Sequence, residues 1–74
     1  MMPAAERFVL AGEYIELNQL LKLAGLCASG GAGKALVASG AVRVDGQVEL
    51  RKTCKIRAGQ VVEAEGQRIE VLAG

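Results

Sequence analysis

The chain has 74 residues, room for one compact domain and not for two, with 51% hydrophobic residues and a net charge of +1. That apolar content excludes a disordered chain, and the apolar runs, such as Ala35-Leu36-Val37-Ala38, are far shorter than the roughly 20 residues of a membrane span. His is absent, which excludes Ser/His/Asp and Cys/His catalysis.

The core is expected to be thin, because a domain this small buries only about 60% of its unfolded surface. It must be built from Ala, Val and Leu, since Phe8 and Tyr14 are the only aromatics. The N-terminus has no basic segment followed by an apolar stretch, so no signal peptide is expected. A cytoplasmic location follows as an expectation, with Cys27 and Cys54 as reduced, ordinary small core residues. With no His and no paired Cys spacing, no zinc site is expected, and no cofactor.

In chain order, residues 1–13 read as an N-terminal extension: a frayed terminus, then one weak strand at Arg7-Phe8-Val9-Leu10. Leu17, Leu20, Leu21 and Ala24 fall at i, i+3, i+4 and i+7, which predicts a helix over 17–24 stopped by Gly25. Ser29 is a good N-cap for a second helix, stopped by Gly40, with Ala32, Ala35, Leu36 and Ser39 on one face. Gly30, Gly31 and Gly33 weaken its first turns by about 1 kcal/mol each relative to Ala. Such a start is tolerated where the backbone packs closely on another element or on a ligand.

Two hairpins follow. In Val42-Arg43-Val44-Asp45-Gly46-Gln47-Val48 a two-residue loop would oppose Val44 to Gln47 and break the apolar face. An odd-length loop with a bulge is therefore expected, keeping Val42 beside Val48. In the last hairpin a Gly66-Gln67 turn pairs Glu65 with Arg68, Ala64 with Ile69, Glu63 with Glu70 and Val62 with Val71. Val42, Val44, Val48, Val62, Ile69 and Val71 are then expected inside. Arg43, Glu63, Glu65, Arg68 and Glu70 are then expected outside, and the outer face of the last hairpin, mostly acidic, is expected to lie away from any nucleic acid.

Charge is distributed unevenly. Between Leu17 and Arg57 seven basic residues outnumber Asp45 and Glu49, a net +5, while the flanks carry −4. Such separation suggests a face for an anionic partner. The densest part is Arg51-Lys52-Thr53-Cys54-Lys55-Ile56-Arg57, with four cations and no acid. The Gly30-Gly31-Ala32-Gly33-Lys34 run resembles a phosphate loop but fails its pattern: Ala28 stands where the first Gly is needed, and Ala35 where Ser or Thr would hold magnesium. The dinucleotide pattern fails at Leu36. No carboxylate pair suggests general acid–base work, so no enzyme is expected.

The framework Leu17, Leu20-Leu21, Gly25, Ser29, Lys34-Ala35-Leu36-Val37, Gly40-Ala41-Val42-Arg43-Val44-Asp45-Gly46, Arg51-Lys52, Lys55-Ile56, Gly59 and Val62 resembles the S-four domain. This is the RNA-binding module named after a small-subunit ribosomal protein, and the likeness is to its short, free-standing YbcJ-like group. The resemblance covers residues 15 to 71 and implies an α+β fold over 14–74: two short helices packed on a small, mostly antiparallel sheet, the alpha-L arrangement. It also implies a basic face for structured RNA, ribosomal or ribosome-associated, carrying Ser29, Lys34, Arg43, Arg51, Lys52 and Lys55. A monomer is expected. Two departures stand out. Gly30 replaces an Arg frequent after the serine, which removes one phosphate contact. Asp45 replaces an Asn frequent before the turn glycine, and either weakens an RNA contact or only suits the turn. The scarcity of aromatics argues against base stacking on a sheet. The alternative reading is a protein-interaction adaptor on the ribosome, in which the acidic hairpin binds a partner and RNA affinity is incidental.

Overall fold

In the computed structural model, which describes residues 6–74, the apolar spacing produces α1 at Leu17–Leu23. Leu17, Leu20 and Leu21 are fully buried. The helix stops at Gly25 (φ +83°), where Gly25 N–H donates to Lys22 O at 3.1 Å and Leu26 N–H to Leu21 O at 3.0 Å. These two bonds are a Schellman stop, which needs the positive φ that Gly adopts freely. Of the frayed terminus expected before Arg7, residues 1–5 lie outside the described residues, and Glu6 is already in a strand, Glu6–Val9.

α2 spans Gly30–Ala38, and the Ser29 hydroxyl accepts from the Ala32 N–H at 3.1 Å as the N-cap. Its buried face differs from the expected one. Ala32, Ala35 and Ser39 are exposed, Leu36 is half-buried, and Gly33 and Val37 are buried. The apolar count missed Gly33 because its contact is made by backbone. A Cβ at Gly33 would lie 2.6 Å from the Asn18 carbonyl oxygen and 3.2 Å from its Cα, so α2 crosses α1 nearly backbone to backbone.

The main sheet has the order β1-β7-β6-β3-β4. Its strands are β1 (Glu6–Val9), β3 (Arg43–Val44), β4 (Gln47–Val48), β6 (Val61–Ala64) and β7 (Gln67–Leu72). All neighbours are antiparallel except β1 and β7, which are parallel. A second ladder joins β2 (Ile15–Glu16) to β5 (Lys55–Ile56). The inner sheet face, the two helices and Ile56 share one apolar core with no aromatic at its centre. Each fully buried aliphatic side chain there contributes roughly 1.5–3 kcal/mol relative to exposure.

Both hairpins turn differently from expectation. Asp45-Gly46 (φ 51° and 82°) and Glu65-Gly66 (φ 51° and 74°) are two-residue turns with both φ positive, the conformation that matches strand twist. In the first, Val44 does oppose Gln47, and Val48 faces solvent beside Arg43, 52% exposed. The carboxylate of Asp45 favours this tight turn: it accepts from Val61 N–H at 2.9 Å and from the Gln60 amide at 3.3 Å. In the second hairpin the pairs are Ala64 with Gln67, Glu63 with Arg68, Val62 with Ile69 and Val61 with Glu70. Each partner moves by two residues, so the inner face is unchanged and Val62, Ala64, Ile69 and Val71 are buried as expected. The outer face changes character. Glu63 lies between Arg43 and Arg68, and Glu70 beside Arg7, so it alternates in charge instead of being mostly acidic. Opposite charges across strands stabilise, and the expected Glu63–Glu70 pair would have repelled. Glu70 is half-buried, whereas Arg43, Glu63, Glu65 and Arg68 are exposed.

Gly33→Ala is expected to lower stability by about 1–3 kcal/mol through overpacking against α1. Gly31→Ala is expected to raise it by up to about 1 kcal/mol, since only the Ser29 hydroxyl, at 3.8 Å, approaches that position. Urea denaturation of both variants gives the comparison, and a gain in both would mean that the helices do not touch at Gly33.

Candidate nucleic-acid interface

The first N–H groups of a helix have no partner within it. In α1 they find partners far along the chain: Leu17 N–H donates to Cys54 O at 2.9 Å, and Asn18 N–H to Lys52 O at 3.1 Å. These bonds fix the backbone of the basic segment against the helix pair. β2 and β5 continue the contact through Ile15 opposite Ile56 and Glu16 opposite Lys55, with Ile56 buried. The side chains of Arg51, Lys52, Lys55 and Arg57 are thereby held outward from an anchored backbone.

They line one broad, open concavity with Lys34, Leu50, Thr53 and Cys54. Five cations surround it and no acid lines it. Lys34 comes from the second turn of α2 and joins the basic segment across space, as the resemblance implied.

Arg51 differs from the other four. Its Nε and Nη2 donate to the two Glu49 carboxylate oxygens at 3.0 and 2.9 Å, and its backbone N–H donates to Oε2 at 2.9 Å. These bonds hold the Glu49 carboxyl at a pKa of about 2, and Glu49 in turn pushes the Arg51 pKa up. Much of the Arg51 charge is thus offset before any ligand arrives. Burial, then the Glu49 charge, raises the pKa of the Cys54 thiol, which therefore stays protonated at neutral pH. Cys27 and Cys54 are free thiols, both half-buried against the core.

Two of the residues named from sequence lie elsewhere. Arg43 is on the outer sheet face and borders a second, smaller concavity with Glu63, Glu65 and Arg68. The Ser29 hydroxyl is occupied by its capping bond. Two residues were missed. Arg57 belongs to the basic run and lines the concavity. Tyr14, 43% exposed, has the Lys55 ammonium 4.9 Å and the Arg57 guanidinium carbon 5.7 Å from its ring centroid. A two-residue ladder leaves no periodicity from which that neighbourhood is readable. Among the described residues no group of three or more Cys, Asp or Glu side chains could hold a metal ion, and no helix is long and apolar enough to cross a membrane.

The S4 domain profile, the S-four family by another spelling, matches residues 8–72. The chain belongs to the S4 domain family. YbcJ of Escherichia coli (strain K12) is 50% identical over 60 residues, which are 81% of this chain and 86% of YbcJ. The solution structure of YbcJ from E. coli, which has an alfa-L motif involved in RNA-binding, aligns with a TM-score of 0.74 at 44% identity and covers 99% of this chain and 94% of that one. A tyrosine–tRNA ligase of Ralstonia nicotianae is 41% identical over 59 residues, 80% of this chain but 15% of the ligase. That second likeness is therefore to one module of a larger enzyme. Two helices on a mostly antiparallel sheet are what this S4 domain shares with the YbcJ structure.

The Glu49 carboxyl is held at about 2 instead of its ordinary 4.5, so its contribution to stability is present above pH 4.5 and is lost as pH falls toward 2. Glu49→Gln is expected to remove that component. Acid unfolding of the two proteins, followed by circular dichroism, should therefore converge below pH 4.5; parallel curves over the whole range would count against the ion pair.

Proposed function

We propose that this S4 domain binds structured RNA through the concavity of Lys34, Arg51, Lys52, Lys55 and Arg57, with no catalytic step of its own. One observation carries the reading: five cations from two separate parts of the chain converge on one open surface that no acid lines. The kinship with YbcJ, whose alfa-L motif is involved in RNA-binding, agrees with it. Recognition is through phosphates and shape, because side chains cannot enter the deep, narrow major groove of helical RNA to read base edges.

Ribosomal RNA, free or on the ribosome, is the proposed ligand class, met in the cytoplasm by a monomer. Ser29 and Arg43 contribute less than the five converging cations. One is engaged in a cap, and the other stands beside Glu63. The adaptor reading is disfavoured because it relied on an acidic hairpin face, and that face alternates in sign.

With about four to six phosphate contacts, log K is expected to fall with log salt at a slope of roughly −3 to −5. Lys52→Ala combined with Lys55→Ala should weaken binding strongly and flatten that slope by about one to two units. Arg68→Ala, on the charge-alternating sheet face, should leave both nearly unchanged. All of these side chains are exposed, so melting temperatures should barely move. The assay is affinity for one structured ribosomal RNA fragment at several salt concentrations. Equal losses from the two variants would mean that net charge alone matters and no defined face exists.

A further inference from the structure

We infer that Tyr14 is a stacking platform for one unpaired nucleobase at the rim of the cationic concavity, so that the domain prefers RNA in which a helix is interrupted by an extruded nucleotide. The inference rests on the RNA-binding reading above and adds to it a base contact that phosphate recognition does not supply.

The geometry begins with the β2–β5 ladder. Ile15 pairs with Ile56 and Glu16 with Lys55, and continuing that register by one step sets Tyr14 opposite Arg57. Ile56 is buried and Ile15 half-buried, so Tyr14, Glu16, Lys55 and Arg57 share the outward face. Lys55 faces Glu16 directly, yet the one ion pair among the described residues is Arg51 with Glu49. The Lys55 ammonium lies over the Tyr14 ring, and the Arg57 guanidinium lies near the same ring. Two like charges thus converge on one aromatic surface that remains 43% exposed. Phe8, the other aromatic, packs against the core.

This arrangement suits a nucleotide. Lys55 and Arg57 also line the concavity, so phosphates bound there run past the ring. Cation–π contacts at exposed sites are weaker than charge-assisted hydrogen bonds to phosphate. When phosphate arrives, both cations are drawn onto it and the ring face they occupied opens beside the bound strand. An extruded base attached to that strand can then stack on Tyr14, whose rigid side chain loses little entropy on ordering. One ring is too little for a tract of single strand, which needs successive platforms, so the fitting ligand is a single unpaired base flanked by helical phosphates.

The chain has one Tyr and no Trp, so its intrinsic emission reports Tyr14 alone. Three RNA hairpins of equal length serve as probes: fully paired, with one unpaired adenosine, and with an abasic site in place of that adenosine. The wild type is expected to bind the bulged hairpin about 5- to 150-fold more tightly than the other two, the range of single base–aromatic stacks. Tyrosine emission should be quenched by that RNA alone. Tyr14→Phe should keep the preference; Tyr14→Leu should abolish it, so that the bulged hairpin binds no more tightly than the paired one. If Tyr14→Leu weakens all three RNAs alike, the ring only arranges the cations and the inference fails while RNA binding stands. No effect of Tyr14→Leu, or no difference between bulged and abasic hairpins, also overturns it. Absence of salt-dependent binding to every hairpin would instead remove the RNA-binding reading itself.

Discussion

The two hydrogen bonds from the start of α1 to the carbonyls of Lys52 and Cys54 are the constraint on which the rest of the surface depends. They satisfy helix donors that would otherwise need a side-chain cap, and Glu16 supplies none. The positive end of the α1 dipole is therefore spent inside the fold and is not offered to a ligand. In return, a segment that carries four cations in seven residues is tied down where repulsion among them would favour a loose loop.

Asn18 makes this constraint reach further. Its backbone N–H holds Lys52 O, and its carbonyl faces Gly33 at a distance that admits no side chain. α2, which carries Lys34 one residue after Gly33, is thus docked on the same residue that anchors Lys52. Cations contributed by two distant parts of the chain are set relative to one another through a single buried backbone unit. The Asn18 side chain is also buried, and its Oδ1 has no hydrogen-bond partner. A perturbation at Gly33 therefore acts on the spacing of the cationic surface as well as on stability.

How much of this was legible follows from what kind of contact each feature uses. The α1 stripe, its Gly25 stop and the Ser29 cap are side-chain or conformational signals, and they read directly. The α2 face was misread by one position because its central contact belongs to a residue without a side chain. The first turn was misplaced because Val48 was expected inside, and the second because glycine was expected first in the turn, whereas Asp45 and Glu65 hold positive φ ahead of their glycines. The inner faces survived, since moving a two-residue turn by one position preserves strand parity, and only Val48 was lost to solvent. The basic run was plain, and Lys34 was placed by family likeness. Arg43 belongs to the same framework but stands on the other side of the sheet, and Tyr14 became visible only when two two-residue strands were seen to pair.

The parallel pairing of β1 with β7 has a consequence for the order of assembly. It joins Glu6 to Ile69 and so closes a loop of more than sixty residues, with every other element inside it. The helix pair and the two tight hairpins depend on nearer neighbours and are available earlier, because long-range closure costs chain entropy that local contacts do not. β1 is thus the late-docking margin of the sheet. It is an edge strand on which only Phe8 is even half-buried, so it opens more readily than the interior strands β6 and β7. The cationic concavity draws no residue from it, so opening of this edge removes nothing from the ligand-facing surface.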